Sequence, residues 1–145
     1  MGEFQLRTGS DEDLAIVHSA AAKSLRSSPL YRDVPPDQYT EVMNGLVTRM
    51  TAAPWQLTIA HPTGYPSEVA GFVLHRTGHT HRGQPIPVVG FLYTKEPYRR
   101  QGVARQLLQH ATNGCPDFLA VLAQPRVLSM CRDRGLKPQL SPYLL

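Results

Sequence analysis

The stretch YRRQGVARQLLQHA, residues 98–111, decides how the rest of the chain is read. Val103, Leu107, Leu108 and Ala111 recur at helical spacing, and Asn113-Gly114 with Pro116 closes the run. Upstream, VVGFLYT (88–94) has the composition of a buried strand, and downstream FLAVL (118–122) has it again. The polar residues Arg99, Arg100, Gln101, Gly102, Val103 and Ala104 therefore fall at a strand-to-helix turn. Such a turn presents unpaired backbone N–H groups and the positive end of a helix dipole. Gly102 removes a Cβ where an anion would touch the backbone, Ala104 keeps the next turn small, and the two arginines add charged donors. From the residues alone the stretch reads as a phosphate cradle or as an ordinary helix start with solvated arginines.

Outward from that turn, the order of elements is regular. EFQLR (3–7) alternates as a short strand. Ser10 and Asp13 have capping-box spacing ahead of a helix whose buried face is Leu14, Val17, Ala21 and Leu25. Ser27-Ser28-Pro29 stops it, and a proline-punctuated loop carries Tyr31, Arg32 and Asp33. Pro36 opens a second helix with the stripe Tyr39, Met43, Leu46, Val47 and Met50. WQLTIAH (55–61) and VAGFVLHR (69–76) are two antiparallel strands, and the polar loop 77–85 leads to a third at 86–94. The turn, a helix near 102–113, the strand 118–122, a helix near 125–134 ending at Gly135, and one short last strand complete the chain. This order predicts an α+β fold in which an antiparallel sheet turns parallel late in the chain. The length, 145 residues, suits a single domain spanning 1–145.

Bulk properties narrow the function. The chain is 41% hydrophobic, ordinary for a globular protein, and has no apolar run approaching the ~20 residues of a membrane helix. MGEFQLRTGS lacks the apolar core of a secretory signal. Cys115 and Cys131 do not make a disulfide framework, which points to the reducing cytoplasm. The net charge of +4 fits a polyanionic cofactor, an acidic target or nucleic acid. His75, His79 and His81 straddle a turn without a Cys or acid to complete a ligand set, so they read as a solvated loop rather than a metal site.

Arg-x-x-Gly-x-Ala between a hydrophobic strand and an amphipathic helix resembles the acetyl-CoA-binding motif of the GNAT superfamily of N-acetyltransferases. Glu96-Pro97-Tyr98 ahead of it, SMCRDRGLKP (129–138) and the order of elements resemble that family as well, in particular the small members encoded by bacteria and their phages. The resemblance implies a central, mostly antiparallel sheet whose fourth and fifth strands run parallel and splay apart, flanked by about four helices. It implies that the coenzyme A pyrophosphate sits on the amides of Gln101 to Arg105, with Arg99 and Arg100 beside it. The pantetheine arm would pair with the edge Leu92, Tyr93 and Thr94, and Gln124 would stand where the family often has an Asn. The implied activity is acetyl transfer from acetyl-CoA to a primary amine, on a small molecule or a protein, by direct attack in a ternary complex.

The chemistry departs from the family in one place: where a tyrosine often protonates the departing thiolate, this chain has Cys131. Cys131, Tyr93 and Tyr143 are the candidate proton donors, with solvent as the alternative; a Tyr93 or neighbouring N–H is the candidate donor to the carbonyl oxygen, and His75 the candidate base. Glu41 and Glu96 are weaker bases. Tyr31 and Arg32, on the loop that borders the acceptor in similar enzymes, are the candidate substrate-binding residues. Only ten residues follow Gly135, where relatives often carry a two-stranded hairpin, so either the acceptor side is open or a homodimer covers it. The competing readings are a catalytically weak acyl-CoA-binding module and a nucleic-acid-binding or nucleobase-modifying protein on the same fold.

Overall fold

The computed structural model describes residues 3–26, 31–121 and 125–140. Its strands are β1 (Phe4–Thr8), β2 (Gln56–Pro62), β3 (Gly71–His79), β4 (Pro85–Thr94), β5 (Asp117–Ala120) and β6 (Lys137–Leu140). Its helices are α1 (Leu14–Ser24), α2 (Pro36–Thr51), α3 (Val103–Thr112) and α4 (Pro125–Asp133), with 3-10 turns at Asp11–Asp13 and Glu96–Tyr98. The strands form one sheet in sequence order, antiparallel from β1 to β4 and parallel from β4 to β6. The α+β reading, the switch to parallel pairing and the four helices are all present.

Strand alternation sorts the core into two layers. Phe72, Leu74 and Phe91 pack with Val17, Met43 and Leu46 of α1 and α2, while Val73, Val89 and Leu92 pack with Val103, Leu107 and Cys131 of α3 and α4. The Ser10–Asp13 box forms, and it works with Asp in the usual Glu place because Arg7 holds the carboxylate. Arg7 donates to both Asp13 oxygens, at 2.8 and 2.9 Å, and the Ser10 N–H donates at 2.8 Å. Those bonds, Arg7's foremost, hold the Asp13 carboxyl below its ordinary range. Tyr39 ties α2 to α1 by donating to the Ala22 carbonyl at 2.5 Å, with Arg26 over its ring.

Two details differ from the sequence reading. The predicted loop 77–85 is shorter, because β3 continues to His79 and the hairpin is closed by the Thr80 hydroxyl, which accepts the N–H groups of Arg82 and Gln84. In β4, Leu74 faces Phe91 while His75 faces Val89, so Gly90 is an extra residue, a bulge. Glycine is required there by packing: a Cβ at position 90 would run into the Met50 methyl and come within 2.7 Å of the Trp55 ring. Below the bulge β4 pairs with β5 through Val88–Leu119 and Val89–Ala120. Above it, among the described residues, β4 has no β5 partner, and the cavities lined by Phe91, Leu92 and Thr94 leave a gap beside its edge.

Candidate active site

Helix α3 starts beyond β4 and the 3-10 turn, beside the unpaired end of the strand. Arg100 and Gly102 take positive φ angles, 67° and 84°, which turn the chain sharply into the helix; at Gly102 this conformation, more than lack of space, is what asks for glycine. The Gln106 N–H donates to the Gly102 carbonyl at 3.0 Å as the first helical bond, so the preceding amides have no partner within the helix. Arg99 is fixed by its Nε–H, which donates to the Thr94 carbonyl at 3.1 Å. The turn is anchored from behind by Tyr98, whose hydroxyl donates to Glu68 at 2.5 Å and whose ring meets Phe4 edge-on.

In front of the turn lies a cavity of about 750 Å³, with Leu92, Thr94, Arg99, Arg100, Gly102 and Arg134 among its walls. Arg105 also lines it, and the acidic side chain there is Glu96, so the wall is strongly positive. The Thr94 hydroxyl is buried without a hydrogen-bond partner, an orphan facing a cavity that could supply one.

Backbone parity defines the exposed edge of β4. The Lys95 N–H donates to the Ala70 carbonyl at 2.8 Å, so Gly71 and Thr94 form a non-hydrogen-bonded pair and Phe72 and Tyr93 a hydrogen-bonded one. The Tyr93 N–H and C=O are thus spent on β3, while the N–H groups of Leu92 and Thr94 point into the gap. Of the three residues expected along this edge, Leu92 and Thr94 turn their N–H groups to the gap and Tyr93 does not. Its ring lies on the other face of the sheet, half-buried, 5.5 Å from Phe72.

Of the other expected cofactor residues, Leu92, Thr94, Arg99, Arg100, Gly102, Ala104 and Arg105 line the cavity. The Gln101 side chain folds back to donate to the Pro97 carbonyl, and the Val103 side chain is buried in the core, so each offers its backbone amide. Gln124 and Tyr143 lie outside the described residues. Cys131 is fully buried and lines a small second cavity with Gly90, Phe91 and Leu92, at the foot of the gap; burial pushes its thiol above the ordinary range.

His75 is placed elsewhere. It is buried beneath α3, its Nε2 2.9 Å from the Thr58 hydroxyl and its ring edge-on to His110, and it does not line the large cavity. Burial, with His110 nearby, lowers its pKa to about 4. Helix α3 covers that stretch of β3, so the candidate base faces packed side chains instead of the cavity. Tyr31 is half-buried against the α1–α2 core, and burial raises its pKa; Arg32 is exposed in the same turn. Arg134 and Met130, on the cavity wall from the α4 side, were not anticipated; their signal was the amphipathic spacing of 127, 130, 131 and 134.

A sequence model of the acetyltransferase (GNAT) family matches residues 25–123. The chain belongs to the acetyltransferase (GNAT) family, a family of acyl-transferring proteins. No curated protein matches it in sequence. Solved structures share its fold at low identity. A ribosomal-protein-alanine N-acetyltransferase from Brucella melitensis is 12% identical with a TM-score of 0.60, over 98% of both chains. An integron cassette protein from Vibrio cholerae is 12% identical with a TM-score of 0.62, over 94% of this chain and 86% of its own. An aminoglycoside N-acetyltransferase in complex with CoA is 14% identical with a TM-score of 0.56, over 98% of this chain and 91% of its own.

Proposed function

We propose that the protein transfers an acetyl group from acetyl-CoA to a primary amine by direct attack in a ternary complex. The observation that carries this reading is the junction of two features at one cavity: the free amides and arginines at the start of α3, and the unpaired β4 edge bearing the orphan Thr94 hydroxyl. The first feature suits a pyrophosphate and the second an amide-bearing arm that pairs as a strand would. Acetyl-CoA, once bound, supplies an activated acyl carbonyl with a thiolate as leaving group.

The chain's own residues then have separable tasks. The amides from Gln101 to Arg105, with Arg99, Arg100 and Arg105, hold the phosphates. The Leu92 N–H, free of β3, is placed to donate to the carbonyl oxygen as negative charge develops there. Cys131 stands at the foot of the gap with its thiol kept protonated by burial, in the state needed to give a proton to the leaving sulfur. His75 lines neither the large cavity nor the small one beside it that Cys131 lines, so the amine loses its proton to water or a water chain.

The sequestration of His75 also favours a second reading, an acyl-CoA-binding module with little catalysis. Thiol release from acetyl-CoA, followed over a panel of small amines and lysine- or N-terminal-amine peptides, separates the two. Release that depends on the amine supports transfer; tight binding without release across the whole panel supports the module.

A further inference from the structure

Two residues between β2 and β3 hold the turn that leads into α3. The Ala70 carbonyl accepts from the Lys95 N–H at 2.8 Å, and the Glu68 carboxylate accepts from the Tyr98 hydroxyl at 2.5 Å. Together they grip the segment that delivers Arg99, Arg100 and Gly102 to the large cavity. The other side-chain bonds of the turn are local: Arg99 donates to the Thr94 carbonyl and Gln101 to that of Pro97. Glu68 itself stands on a stiff platform. Its N–H donates to the Tyr65 carbonyl at 3.1 Å, and the Tyr65 N–H to that of Pro62 at 3.0 Å, which makes two successive turns. Arg7, fixed by Asp13, donates its Nε–H to the Pro66 carbonyl at 2.9 Å and staples the loop to β1.

We infer that Glu68 is a positioning residue for the coenzyme: through the Tyr98 hydroxyl it holds the turn in the shape that receives the phosphates. The inference rests on the coenzyme reading above and adds a residue outside the cavity wall on which affinity depends. The turn needs holding. Arg100, at a φ of 67°, sits in a left-handed conformation that side chains rarely adopt, and amides aimed at an anion bind it best when their directions are set beforehand. Because the loop beneath Glu68 is already ordered by its own bonds, the Tyr98–Glu68 bond costs little further entropy although it lies at the surface. The bond also commits the Tyr98 proton to Glu68 and raises the pKa of the phenol, which suits an anchor better than a proton donor. As a bare charge, Glu68 would oppose a polyanion, so any gain in affinity from it comes through the bond it accepts.

That sign makes the test sharp. Acetyl-CoA is titrated by calorimetry into the wild type, Glu68→Ala, Glu68→Gln, Tyr98→Phe and the double variant Glu68→Ala/Tyr98→Phe, with thermal melting to show that each is folded. Glu68→Ala and Tyr98→Phe should each weaken binding about three- to tenfold, and the double variant should be no weaker than the weaker single one, since one bond is lost in all three. Glu68→Gln keeps an acceptor and drops the charge, so it should bind within about twofold of the wild type or more tightly. Wild-type affinity or better in both folded single variants, or a Glu68→Gln as weak as Glu68→Ala, overturns the positioning role and leaves the coenzyme reading standing. Losses that multiply in the double variant overturn it as well, because the two residues then act separately. No binding of acetyl-CoA by the wild type overturns both readings.

Discussion

Lys95 donates its backbone N–H to the carbonyl of Ala70 at 2.8 Å, and that bond settles which residues of β4 face the open gap. With the register Gly71–Thr94, Phe72–Tyr93 and Val73–Leu92, the amides alternate between β3 and the gap. Hydrogen exchange resolved to single residues should find the Tyr93 amide protected in the free protein, and those of Leu92 and Thr94 exchanging faster. Saturating acetyl-CoA should slow Leu92 and Thr94 about tenfold or more and leave Tyr93 unchanged. Equal exchange at all three, with or without the ligand, would contradict the edge described here.

His75 gives stability a pH dependence of known sign. Its folded pKa, about 4, lies below the ordinary ~6.5, so the unfolded chain binds the proton first as pH falls. Stability contributed by neutral His75 is therefore complete above pH ~6.5 and is lost between there and about pH 4, up to about 3 kcal/mol. His110, whose ring packs on it, adds to the penalty for charging it. Urea unfolding across this range should show the slope in the wild type and a flatter profile in His75→Gln.

Asp13→Ala should destabilise the protein by about 1–3 kcal/mol. It removes the acceptor of two Arg7 bonds and of the Ser10 N–H, and leaves the guanidinium without its carboxylate. Because Asp13 titrates below its ordinary value, the difference between wild type and variant should also shrink as pH drops through the folded pKa. Denaturant melts at pH 7 and at pH 3 measure both effects.

How much of this was legible follows the range of each interaction. The turn at 99–104, the Ser10–Asp13 cap and the stripe of α2 depend on residues within a few positions of one another, and each was readable from spacing. The bulge at Gly90 was not. Its hint was a glycine inside an apolar strand, but its cause is the collision a side chain would have with Trp55 and Met50, far away in sequence. The parity of Tyr93 depends on that long-range register, which decides whether its own N–H or those of its neighbours face the gap. His75 was misread for a related reason: its strand position was right, but which helix covers it is a tertiary fact.

If Cys131 protonates the leaving thiolate, Cys131→Ala should lower kcat about a hundredfold while changing the acetyl-CoA Kd by less than about threefold, and Cys131→Ser should restore part of the rate. The rate should climb about tenfold per pH unit between pH 6 and 8 for a lysine-like amine, since only its neutral form attacks. Burial holds the Cys131 thiol above its ordinary range, so it remains protonated throughout that climb. Steady-state kinetics with any accepted amine, over that pH range, measures both.

The central claim is that residues 99–105 hold the phosphates of acetyl-CoA, and titration calorimetry addresses it directly. The wild type is compared with Gly102→Glu, which places a carboxylate at the mouth of the turn, and with Arg105→Glu, an exposed charge reversal on the regular helix; melting shows that each variant is folded. The account predicts micromolar binding by the wild type, weakened at least about tenfold in Arg105→Glu and abolished in Gly102→Glu. No binding by the wild type, or unchanged affinity in both folded variants, would contradict it.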